Sequence, residues 1–158
     1  MRKVIFEQIG NTVIAVILII CTCQTIATST FSTTYGEFNT EIHFNATWLL
    51  FIISIVLFSL ARLAYAKKIG AKDGYNTKEG ELSAQDEREK LIGLKAAKVT
   101  YRALVYYIAV VFTMALFISI FITSAIVLRM FCIVIIGSCL IAAFLIYMVS
   151  WIVYDHRL

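Results

Sequence analysis

The sequence predicts an all-α membrane protein: an antiparallel four-transmembrane-helix bundle with a juxtamembrane amphipathic helix. Three observations predict it. Hydrophobic residues make up 61% of the 158-residue chain and charged residues only 15%. A soluble domain of this size buries about 60–70% of the surface its unfolded chain exposes, too little to hide so much apolar area. The third observation is where charge sits. Of the fourteen Lys and Arg, thirteen fall in Met1–Lys3, Arg62–Arg102 or the last few residues. Lipid is therefore read as part of the solvent, and the length suits a single membrane domain over 1–158.

Crossing a hydrocarbon core of ~30 Å takes about 20 mostly apolar residues. Four runs qualify, at about 9–27, 46–66, 103–123 and 131–151. Asn11 and the stretch Cys21–Thr25 dilute the first. Its basic start resembles a signal peptide, yet the run is long and no clear small-x-small cleavage site closes it, so it is read as a retained span. The loop 29–45 carries Glu37 and Glu41 and no Lys or Arg, whereas the loop 67–102 and its borders carry ten basic residues. By the positive-inside rule the first loop lies outside and the second inside, with both termini in the cytoplasm of a cell (inner) membrane protein. Trp48 falls at the outer edge, and Tyr65, Tyr101, Tyr147, Trp151 and Tyr154 fall towards the inner one, as an aromatic belt would. Arg129 alone among the basic residues is placed outside, at the tip of a tight connection between the last two runs.

Within the basic loop, Lys67–Glu81 reads as a flexible linker around Gly70, Gly74 and Gly80. Ser83–Arg102 then reads as a helix. Ser83 is an N-cap candidate with Asp86 three residues on, and acidic Asp86, Glu87 and Glu89 precede basic Lys95, Lys98 and Arg102, which suits the helix dipole. This helix either lies along the membrane surface or runs directly into the third span. The stretch DEREKLIGLKAAKVTY, from Asp86 to Tyr101, resembles a motif that precedes a membrane span in uncharacterised families of small prokaryotic integral membrane proteins. The shared pattern is Asp86-Glu87-Arg88, Ile92, Lys95-Ala96 and Tyr101. The resemblance covers about a tenth of the chain. It implies a small prokaryotic inner-membrane protein and carries no active site with it. Asp86, Glu87, Arg88, Lys95 and Tyr101 are accordingly the candidate interaction residues.

No Asp, Glu, Lys, Arg or His falls at the middle of any run. Ion pathways and proton relays ordinarily need such groups, so a proton-coupled transporter is disfavoured. Cys21, Gln24, Thr25 and Thr28, at i, i+3, i+4 and i+7, form a polar stripe in the first span, read as interhelical hydrogen bonding or as the lining of a small path. Four cysteines invite a redox reading, but a quinone-linked disulfide generator would need a C-x-x-C pair, and the sequence has none. Neither His43 nor His156 has metal ligands at useful spacing, and no phosphate loop, nucleophile elbow or paired-carboxylate site occurs. The expectation is a chain that is not an enzyme and takes no cofactor or metal. Its partners would be the bilayer and another membrane protein or a second copy, not nucleic acid. It would act by contact, as an accessory, regulatory or immunity-type protein. The alternative is a small oligomeric transporter or channel subunit, with the span-one stripe along its path.

Overall fold

Proline is absent from the chain and glycine is sparse, so little in the sequence interrupts a helix once it has started. A computed structural model describes residues 2–34, 37–70, 75–80 and 87–157. Its elements are α1 (Arg2–Thr28), a hairpin of β1 (Thr30–Thr34) and β2 (Glu37–Glu41), α2 (Thr47–Tyr65) closed by one π-helical turn (Ala66–Gly70), α3 (Glu87–Phe121) and α4 (Ala125–Arg157). All four α-helices are long and apolar enough to cross a membrane. At 1.5 Å per residue the 35 residues of α3 and the 33 of α4 run about 50 Å each, well beyond the ~30 Å that a span requires.

The predicted runs 9–27 and 131–151 sit inside α1 and α4, which overrun them, whereas 46–66 begins one residue before α2 and 103–123 ends two residues past α3. α1 begins at Arg2 instead of residue 9, and α4 begins at Ala125 instead of 131, after a connection of only three residues. Ser83 and Asp86 lie outside the described residues. From Glu87 onward the acidic-to-basic segment is not a separate helix: it forms the first turns of α3 and enters the apolar run without a break. Alanine, leucine and lysine at 94–98 are all strong helix formers, so nothing there turns the chain. The linker expected over Lys67–Glu81 is also different. Ala66–Gly70 prolongs α2, and Tyr75 and Gly80 are buried. The loop 29–45, read from sequence without structure, holds an antiparallel hairpin in which Thr30 pairs with Glu41, Phe31 with Thr40 and Ser32 with Asn39.

Packing runs in the order α2, α1, α4, α3, so the two terminal helices stand between the two middle ones. Two glycines set the spacing. A Cβ on Gly10 would overlap the Phe58 ring of α2, and one on Gly137 would overlap the Ile19 side chain. Gly137 therefore brings α1 and α4 together, and α4 passes through it unbroken. The hydrophobic core lies at the charged end, where Val4 of α1, Ile92 and Ala96 of α3 and Trp151 of α4 are buried, flanked by Tyr147 and Tyr154. Along the apolar runs side chains are left largely uncovered, and α2 buries none of its residues. The physics agrees with that division. Water drives Ile92 inward at about 25 cal/mol per Å², whereas between helices in hydrocarbon that force is missing and small residues and hydrogen bonds hold the contact.

Candidate functional site

The charged end of the molecule is built around Glu7. One turn above the basic start of α1, its carboxylate is nearly shut off from solvent. Oε1 accepts a hydrogen bond from Arg62 Nε at 2.7 Å and a second from the Tyr75 hydroxyl. Arg62 reaches it from the last turns of α2, and its Nη2 also donates to the Thr77 carbonyl at 3.2 Å. Tyr75 arrives from the segment between α2 and α3. That segment folds back through a turn in which Lys78 N–H donates to Asn76 Oδ1 at 3.0 Å and Gly80 N–H to the Asn76 carbonyl at 2.7 Å. Gly80 sits at φ +56°, where a side chain is strained, and a Cβ there would lie 3.0 Å from Arg62 Nη2. An aromatic series backs the cluster: Phe58 against Phe6, Phe6 stacked on Tyr65 at 4.9 Å, and Tyr65 edge-on to Tyr75 at 5.0 Å.

A second ion pair ties α1 to α3. Lys3, 1% exposed, meets Glu89 at 2.8 Å. Arg88 then ties α3 to the end of α4, donating to the Asp155 carbonyl at 2.9 Å, with the Asp155 carboxylate at 3.7 Å. Lys3, Glu7, Arg62 and Glu89 sum to zero charge, which is how such groups are tolerated away from water. Burial raises the Tyr75 hydroxyl above the ordinary tyrosine value, its bond to the Glu7 carboxylate raises it further, and Arg62 opposes both. The arrangement is a clamp: it fastens α2, the segment after it and α3 to the start of α1, and α4 to α3.

The opposite face of α3 is different. Ile92 and Ala96 point inward, while Leu91, Leu94, Lys95, Lys98, Tyr101 and Arg102 are exposed, Leu94 at 69% and Tyr101 at 70%. Of the residues singled out from sequence, Glu87, Lys95 and Tyr101 are exposed, Arg88 is exposed but engaged with α4, and Asp86 lies outside the described residues. The span-one stripe divides. Cys21 and Thr25 are buried against α2, the Cys21 thiol donating to the Thr47 carbonyl at 3.2 Å and Trp48 Nε1 donating to Thr25 Oγ1 at 2.8 Å. Gln24, at the edge of the stripe, and Thr28, the last residue of α1, are exposed, the Thr28 hydroxyl donating back to the Gln24 carbonyl at 3.0 Å. The stripe is thus not one lining. Glu7, Arg62 and Tyr75 were not found by sequence reading: Glu7 and Arg62 sit at apolar boundaries where charge is expected for topology alone, and Tyr75 falls in the stretch read as a linker. Glu7, the one acidic residue of α1, four residues after Lys3, was the signal available.

Among the described residues no three His, Cys, Asp or Glu side chains gather as metal ligands, and all four cysteines are free thiols. Against protein-family models, curated proteins and solved structures, the chain has no significant match.

Proposed function

We propose that this chain is a multi-pass protein of the cell (cytoplasmic) membrane that acts through protein contact, as an accessory, regulatory or immunity-type protein and not as an enzyme. In this reading the four helices form an antiparallel bundle. Both termini, the Glu7 clamp and the first turns of α3 face the cytoplasm, and the hairpin faces outward. The distribution of Lys and Arg supports that orientation, and the resemblance of 86–101 to a prokaryotic juxtamembrane motif agrees with it.

The observation that carries the reading is the exposed face of α3. Leu91, Leu94 and Tyr101 stand uncovered among Lys95, Lys98 and Arg102, on a stretch too charged to lie in hydrocarbon. Large apolar side chains flanked by charges at that level are the composition of a contact surface. The clamp behind them holds this part of α3 in place, so the surface is presented on a rigid element. The partner is another membrane-associated protein with acidic groups, or a second copy of the chain.

The test is co-purification from native membranes. Leu94→Glu and the double variant Lys95→Glu/Lys98→Glu are expected to abolish partner recovery while leaving the thermal unfolding of the detergent-solubilised protein within a few degrees of wild type. Undiminished recovery in both variants would overturn the reading. So would solute flux through a reconstituted wild-type sample that Gln24→Leu abolishes, since that is the behaviour of a transporter or channel subunit.

A further inference from the structure

At the end of the molecule away from the clamp, Arg129 stands just past the first turn of α4. Its guanidinium lies over the Phe31 ring of β1, with Cζ 3.9 Å from the ring centroid. Nη1 is sealed from solvent and has no hydrogen-bond partner. No carboxylate among the described residues forms an ion pair with it. The first turn of α4 also contains no acidic residue, so the positive end of the helix dipole is uncompensated at the same place.

Stacking on Phe31 satisfies the face of the guanidinium plane, as a cation over a ring does. It does nothing for the in-plane N–H groups, and a charged donor left unpaired away from water is costly. The missing partner is an acceptor lying in the plane of the fork, anionic, and at the level where the apolar run of α4 begins. Arg129 as a whole is only partly buried. Two oxygens of one phosphate match that fork better than a single point acceptor does.

We propose that Arg129, held by Phe31, binds the phosphate of a phospholipid headgroup in the outer leaflet. The inference rests on the membrane orientation proposed above, and it concerns the opposite end of the molecule from the contact surface. Phe31 belongs to the hairpin and Arg129 to α4, so a bound headgroup would also pin the hairpin against the α3–α4 connection. The hairpin then works as the wall of a lipid site.

Wild-type protein and the variants Arg129→Gln, Arg129→Lys and Phe31→Ala are purified in a sugar-headed detergent. Each is incubated with phosphatidylglycerol, with a glycosyl diacylglycerol of the same chains, or with inorganic phosphate, and bound lipid is counted by native mass spectrometry. Wild type is expected to retain one phosphatidylglycerol and to show no matching retention of the glycolipid. Retention should fall about tenfold in Arg129→Gln, as loss of a charge-assisted pair predicts, and less in Arg129→Lys, which keeps the charge and loses the fork. Phe31→Ala should weaken it, because the guanidinium loses the ring that holds it. Equal retention by wild type and Arg129→Gln would overturn the proposal, as would equal retention of the two lipids. Displacement of the lipid by equimolar inorganic phosphate would overturn the lipid assignment in favour of a free anion. Failure of the membrane reading would show separately, as release of the protein from native membranes by alkaline carbonate.

Discussion

A carboxylate such as Glu7 is stable away from water only because two donors face it. Removing one donor is therefore worse than removing a surface ion pair, which is worth about 0–1 kcal/mol. Arg62→Gln is expected to lower unfolding stability by about 1.5–3 kcal/mol, the range for a hydrogen bond to a charged group. Tyr75→Phe should cost less, because Arg62 still pairs with the carboxylate. Chemical unfolding in detergent micelles checks both. Tyr75 also gives the clamp a pH dependence. Its folded value is raised, so the native state holds the phenolic proton more tightly than the unfolded chain does. The associated stability is complete below the ordinary tyrosine value of about 10 and is lost as pH rises through the folded one. Thermal midpoints taken on the alkaline side should fall for wild type more steeply than for Tyr75→Phe. A parallel decline would show that the hydroxyl contributes nothing. These residues were hard to read from sequence because a basic residue at a span boundary has a sufficient topological explanation, and Glu7 is separated from Arg62 by 55 positions and from Tyr75 by 68.

At the level of elements, two glycines decide how near the helices come. Gly137 is the seat for Ile19. Gly137→Ala should force α1 and α4 apart and destabilise by about 1–3 kcal/mol, the usual cost of overpacking. Ile19→Ala in the same chain should recover a substantial part of that loss, a coupling that unfolding of the two single variants and the double variant will measure. If the double variant is merely the sum of the singles, the contact does not govern the approach. The apolar runs were legible because hydrocarbon demands long uninterrupted stretches. The hairpin was not, since Thr30–Thr34 and Glu37–Glu41 each hold a single Phe among polar residues and show no alternation of apolar with polar residues. The segment after α2 was misread for a related reason: its glycines and polar residues look like a linker, yet Gly80 is there for a positive φ beneath Arg62.

For the molecule as a whole, the proposed orientation makes a direct prediction. A thiol introduced at Thr34 in a cysteine-free background should react with an impermeant label on intact cells, and one at Lys72 should react only after permeabilisation. The reverse pattern would invert the topology and with it the outer-leaflet placement of Arg129. The order α2, α1, α4, α3 puts the most enclosed helix, α1, against two neighbours, and leaves α2 and α3 as the flanks. That order places the exposed face of α3 at the edge of the protein, where a partner can reach it without displacing another helix.

By itself the sequence determined the number, approximate position and apolar character of the helices, and the asymmetry of charge on which the proposed orientation rests. These are properties of each segment with respect to its solvent, and hydropathy and charge state them locally. Only the tertiary structure decided that Glu7, Arg62 and Tyr75 form one neutral clamp and that Cys21 and Thr25 turn inward while Gln24 does not. It also set Arg129 over Phe31 with a donor unpaired. The reason is the same in each case. Such features depend on which faces of distant segments meet, and in lipid, where the hydrophobic effect does not choose those faces, only the sterics of a few small residues and the pairing of a few polar groups do.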